Sequence, residues 1–277
     1  MAGPPTVLAR MMPPIAVTCL IPVLLLHSIA TSATPPPIAP AVTVDPTGQQ
    51  VLSRFIRAVG GERAIRDISA MHATGRIILP GEQDTGTFSW WVGDGNKCRF
   101  NMSFPGLGTS SFGSDGAEGW ETVELAGDTT HQTLDMATVA SRRRQANWFE
   151  LALTLPARAT TFETVGSAEF DGHGVWEIKM VDAEDRTHHL FFNRTSHLLH
   201  GVRMRGAGIG SAADITIRFT QWKPCGPLTL FRQVSIDHSD VRLQMSFDTV
   251  ILDPIPSEFF AVPANQTKPS QKTNSSD

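Results

Sequence analysis

Period-two alternation dominates the second half of the chain. Trp176, Ile178 and Met180 alternate with Glu177 and Lys179, Val202 and Met204 with Arg203 and Arg205, and Ile215, Ile217 and Phe219 with Thr216 and Arg218. Leu228, Leu230, Val234 and Ile236 read as one further strand. Val241, Leu243, Met245 and Phe247 read as another. Such alternation predicts strands with one buried and one solvated face. Parallel strands buried on both sides would instead show continuous apolar runs separated by helices. The gaps are turn-sized, as at Asn193 to His197, Pro224-Cys225-Gly226-Pro227 and Asp237 to Asp240, which favours an antiparallel meander.

The first half carries the same signal in shorter pieces. Thr47 or Gly48 opens a helix with Val51, Phe55, Ile56 and Val59 on its apolar stripe and Arg54 and Arg57 outward, and Gly60-Gly61 ends it. A second short helical piece runs from Glu62 to Ile68. Strands follow at Met71 to Leu79, Thr85 to Val92, Lys97 to Phe104, Thr109 to Gly113 and Trp120 to Leu125. Asp135 is positioned to cap a helix reaching about Leu153, which Pro156 stops. Thr160 to Val165 begins the second half. The pattern predicts about eleven strands and two substantial helices, a mainly β (α+β) chain.

The N-terminus has a different character. Arg10 precedes an apolar run from Ile15 to Leu26, and small residues follow at Ser28, Ala30, Thr31 and Ala33. This reads as an export signal over residues 1–33, with an uncleaved anchor as the other reading. The run is short for a membrane span of about 20 residues. Cys19 is followed by more of the apolar run, unlike a lipidation site. Residues 34–46 form a Pro-rich spacer and residues 265–277 a polar tail, leaving 47–264 as a single domain. Asn101, Asn193, Asn265 and Asn274 stand in N-x-S/T triplets, which matter only where a secretory pathway glycosylates.

Charge narrows the function. The 277 residues carry a net −4, and the sequence pI is about 6.1. Loss of the signal would remove only Arg10, leaving 22 basic against 27 acidic residues. A nucleic-acid binder would show a basic excess. Export places the protein in the periplasm or beyond, where Cys98 and Cys225 either pair or remain separate thiols.

Four segments resemble the LolA/LolB-like group of periplasmic lipoprotein carriers, in particular its exported lipoprotein-sorting members. GGERAIRDISAMHATGRI (Gly60 to Ile77) is similar to the group's entry helix and first strand. GSDGAEGWE (Gly113 to Glu121) resembles its G-x-D-G-x-x-x-W hairpin. LFFNRTSHLLHGVRMR (Leu190 to Arg205) resembles a strand, turn and return strand, with Asn193 in place of Asp. PIPSEFFAVPA (Pro254 to Ala264) resembles its closing segment. The resemblance implies a strongly curved antiparallel half-barrel, with helices plugging the concave side and acyl chains held there. It transfers no functional residue.

The chemistry that remains is mostly apolar. Phe100, Met102, Phe104, Trp176, Met180, Met204, Phe219, Met245 and Phe247 share one predicted face. Aromatic and Met side chains suit an adaptable lipid cavity, and they equally suit a packed core. Arg142, Arg143 and Arg144 either form a solvated helix face or contact an anionic headgroup or partner. His188, His197 and His200 lie within one hairpin, yet no H-E-x-x-H or paired C-x-x-C accompanies them, so no metal and no cofactor is expected. No G-x-S-x-G elbow is present, and no catalytic residue is assigned. These features favour a monomeric, non-catalytic carrier of a lipid or of a protein's acyl anchor. A filled envelope interaction module is the alternative and an exported hydrolase the third reading.

Overall fold

The computed structural model describes residues 45–78, 85–154, 159–183, 185–205, 214–238 and 241–262. The signal, most of the Pro-rich spacer and the polar tail lie outside them, as does the turn after the first strand.

Two helices, α1 (Gly48–Ala58) and α2 (Glu62–Arg66), precede a run of six strands: β1 (Met71–Ile78), β2 (Thr85–Val92), β3 (Cys98–Phe104), β4 (Gly108–Ser114), β5 (Gly119–Leu125) and β6 (Asp128–Leu134). Helices α3 (Met136–Ala146) and α4 (Trp148–Thr154) follow. Next come β7 (Ala159–Phe170), β8 (His173–Asp182), β9 (Thr187–Asn193), β10 (Leu199–Arg205), β11 (Asp214–Thr220), β12 (Lys223–Cys225), β13 (Leu228–Leu230), β14 (Gln233–His238) and β15 (Val241–Ile251), then a 3-10 turn at Ser257–Phe260. Thirteen strands form one antiparallel sheet in the order β6-β5-β4-β3-β2-β1-β15-β14-β11-β10-β9-β8-β7. The sheet curves without closing, a mainly β half-barrel. It consists of two meanders joined along one seam, where β1 pairs with β15.

Local signals explain the entry helix. The Thr47 hydroxyl accepts from the Gln50 N–H while the Gln50 side chain accepts from the Thr47 N–H, a reciprocal cap. Val51, Leu52, Phe55 and Val59 are buried against the sheet. Gly60 ends the helix at φ +125, where a Cβ would stand 2.4 Å from the Pro227 carbonyl oxygen, so only glycine fits beneath the β12–β13 hairpin.

Three sequence expectations need correction. The helix expected from Asp135 to Leu153 breaks at Asn147, whose ψ of 76 leaves the helical region. The Asn147 Oδ1 accepts from the Glu150 N–H at 2.8 Å and so caps α4. The strand expected from Leu228 to Ile236 is also two pieces. β13 pairs with β12 outside the main sheet, and the chain turns at Phe231 and Arg232 before β14 joins it. At the break the Phe231 ring stacks on Phe149 at 4.4 Å. Finally, among the described residues the chain has fifteen strands rather than eleven. The polar β6 shows no apolar alternation because all of it but Leu134 is exposed at the sheet edge.

Candidate functional site

The nine residues predicted to share a face do converge on one apolar cluster. Phe104, Met180, Phe219, Met245 and Phe247 are buried in it, and Phe100, Met102, Trp176 and Met204 pack against it half-buried. Register aligns them across strands: Trp90 faces Phe100, which faces Phe112, and Trp176 faces Phe192.

The apolar stripe expected of the entry helix brings Phe55 to this face, and Phe149 and Phe231 join it from outside the sheet. Phe55 of α1 lies 5.3 Å from Phe192. Phe149 of α4 lies 5.8 Å from Trp90, 4.4 Å from Phe231 and 4.8 Å from Phe247. Phe231 also meets Phe219 at 4.9 Å and Trp222 at 5.4 Å. Phe149 and Phe231 are 0% and 1% exposed, so the middle of the concave face is occupied by the protein's own rings. No period-two signal could have grouped Phe149 and Phe231 with it, because one is on a helix and the other at a break.

Two members of the Arg run have protein partners. Arg142 is ion-paired with the buried Glu121, and Arg143 lies 3.3 Å from Glu150. The Arg144 side chain lies outside the described residues. Cys98 and Cys225 are both free thiols. Cys98 belongs to a separate small cluster with Phe112, Leu134, Val139 and Ala146, whereas Cys225 sits on β12 with its thiol 3.4 Å from the Val250 carbonyl. Burial pushes the Cys98 thiol up to about 11, against the opposing pull of Arg143. Alkylation of Cys98 in the folded protein at about pH 8 is therefore expected to be slower than in denaturant by about a hundredfold or more. Peptide mapping after timed iodoacetamide labelling checks this, and equal rates would refute it.

The histidines do not gather. His188 places Nε2 3.0 Å from Asp182 Oδ2, His189 lies 2.7 Å from Glu177, and His200 meets the His173 ring edge-on at 4.4 Å. Among the described residues no three His, Cys, Asp or Glu side chains form a metal-sized group. The pair of Asp182 and His188 is buried, and the Asp182 carboxylate also accepts from the Arg186 Nε at 2.7 Å. Burial lowers the His188 pKa from 6.5, with Asp182 opposing the shift, and burial lowers His72 and His200 as well. The unfolded chain binds protons near 6.5 that the fold resists. Stability is therefore expected to fall as pH drops below about 6.5, with the loss levelling off below the depressed folded values. Thermal unfolding at about pH 7.5 and about pH 5.5 checks the sign, and His188→Gln should shrink the difference.

An open concavity of about 560 Å³ lies at the rim, lined by Arg54 of α1, by His173 and Trp176 of β8, and by Arg194 and Thr195 of the turn after β9, among others. The Arg194 Cζ sits 5.1 Å from the Trp176 ring centroid. No helix of the described residues is long and apolar enough to cross a membrane.

No family model matches the sequence, and no curated protein matches it. Solved structures do. A LolA superfamily protein from Nitrosomonas europaea is 10% identical, with a TM-score of 0.47 over 78% of this chain and 98% of that one. A DUF1329 family protein from Desulfovibrio piger is 9% identical, with a TM-score of 0.49 over 77% and 96%. The lipoprotein LppX from Mycobacterium tuberculosis is 16% identical, with a TM-score of 0.32 over 75% and 96%.

Proposed function

We propose that this protein is an exported, non-catalytic carrier that takes an acyl chain, from a lipid or from a lipid-anchored protein, into the concave face of its half-barrel. The observation that carries the reading is Phe149, a ring on a seven-residue helix that fills the middle of an aromatic-lined hollow. A helix of that length is marginal by itself, so packing holds it in place. Withdrawing the ring costs about 3–5 kcal/mol. Each acyl methylene buried in its place returns about 0.8 kcal/mol, so a chain of about a dozen outweighs the ring. The plug can thus yield to cargo and re-close after release.

The test is to recover the protein after export and analyse it for bound lipid by mass spectrometry, then titrate it with a fluorescent fatty acid. Co-purifying lipid and saturable uptake are expected. Repeatedly empty preparations with no uptake would refute the carrier.

A filled interaction module of the cell envelope is the second reading. It is favoured by Phe259, which is 46% exposed and lies 6.4 Å from Trp91 on the outer face. Pull-down of an envelope protein that is lost in Phe259→Ser, from a protein that takes up no lipid, would favour it.

A further inference from the structure

Several guanidinium groups in this protein are ion-paired. Arg76 pairs with Asp248, Arg142 with Glu121, Arg143 with Glu150, Arg186 with Asp182, Arg218 with Asp171 and Asp237, and Arg242 with Asp237. Arg54 and Arg194 are among those that are not ion-paired, and they differ from the others in sharing one concavity. Neither has an ion-pair or side-chain hydrogen-bond partner among the described residues, and both line the same 560 Å³ concavity. No carboxylate lines it with them, and His173 stands beside them.

The site is organised rather than accidental in its placement. Asn193 Oδ1 accepts from the Thr195 and Ser196 N–H groups at 2.9 Å, which fixes the turn that carries Arg194. The Arg194 N–H donates to the Gly174 carbonyl at 3.0 Å, tying that turn to the start of β8. Its guanidinium then lies over the Trp176 ring, which limits where its free donors can point. Arg54 lines it from α1, a helix whose Val51 and Phe55 are buried.

One ring of this mostly polar lining leads toward the apolar cluster. Trp176 lines the concavity and also packs against the main cluster, with Phe192 opposite it in register and Phe55 5.3 Å beyond. Cationic donors at the mouth and an aromatic ring that connects to the core match the two ends of an amphiphile. The volume falls within the range of small-molecule sites, about 300–1,000 Å³.

We propose that Arg54 and Arg194 bind a phosphate group, and that this phosphate is the headgroup of an anionic lipid whose chains enter past Trp176. The proposal rests on the carrier reading for the chains but not for the anion. Two planar guanidiniums suit bidentate contact with phosphate oxygens, and they favour a headgroup that stays net anionic over phosphatidylcholine, whose choline cation offsets the same phosphate and is repelled by the two arginines. A free phosphate or phosphomonoester shares that chemistry, so the experiment separates the sources.

The exported protein and its Arg54→Gln/Arg194→Gln double variant are titrated calorimetrically with dihexanoyl phosphatidylglycerol, dihexanoyl phosphatidylcholine and inorganic phosphate. Both side chains are off the core, so the variant is expected to keep its circular dichroism and Tm. The unaltered protein should prefer phosphatidylglycerol over phosphatidylcholine by about tenfold or more, with the preference shrinking at high salt. The double variant should bind the two lipids alike. Inorganic phosphate bound as tightly as phosphatidylglycerol, and lost in the variant, would assign the same site to a soluble phosphate. Equal binding of both lipids by the unaltered protein, or a preference that survives in the variant, would overturn the proposal while leaving the carrier standing. No binding of any of the three would overturn it too, and fatty-acid uptake measured separately would then decide the carrier reading.

Discussion

A Gly75→Ala variant is expected to lose the folded sheet. Gly75 sits at a bulge in β1, opposite Phe247 of β15 on one side and Phe88 of β2 on the other. A Cβ there would stand 2.0 Å from the Ser246 carbonyl oxygen and 2.7 Å from two atoms of the Phe88 ring. The ring can tilt, but the carbonyl belongs to the paired backbone of β15 and cannot move without opening the seam. Overpacking usually costs about 1–3 kcal/mol, and a clash with backbone lies at or beyond the top of that range. Against a total stability of about 5–15 kcal/mol, and at the one seam holding two meanders together, this is a large loss. Circular dichroism and thermal unfolding should show little soluble, cooperatively folded protein. A Tm within a few degrees of the parent would mean that the bulge absorbs the methyl group.

Phe149→Ala separates the two readings of the hollow. Removing a ring that is fully buried between Trp90, Phe231 and Phe247 should cost about 3–5 kcal/mol. For a domain of this size that lowers Tm by roughly 6–20 °C. If the ring is a plug, the vacated space is a binding site already opened. Fatty-acid uptake should then tighten, and saturating fatty acid should restore part of the lost Tm, about 2.7 kcal/mol at a hundred times Kd. If the ring is only core, the variant loses stability and gains no ligand. That second outcome would move the function to the outer face.

Much of the sheet was legible because one face is dry and the other wet. Residues such as Met102, Met180 and Phe219 could be placed on the dry side by counting in twos. Elements without that contrast were not legible. β6 is polar on both sides because it is an edge, and Phe231 interrupts a run whose flanking residues stay in phase. The break at Asn147 did leave a trace, an Asn followed three residues later by Glu, which the long helical pattern overrode. The candidate anion site was not legible for a different reason. Arg54 comes from the first helix, far in sequence from Trp176 and Arg194, and only the fold brings it to them. The Arg142–Arg144 run drew attention by composition, whereas Arg54 and Arg194 are single residues in separate segments.

The pairing of β1 with β15 also bears on how the molecule comes into being. The strand nearest the start of the sheet has its partner at the other end of the domain, about 170 positions later in synthesis. Until the ribosome has made that last strand, each meander exposes a raw, hydrogen-bond-hungry border and an uncovered greasy face. Assembly therefore waits for the finished polypeptide, and its high contact order makes that assembly slow. A chain with so long-range a closing contact spends longer with its sticky border uncovered, the stage at which neighbouring copies can pair with it.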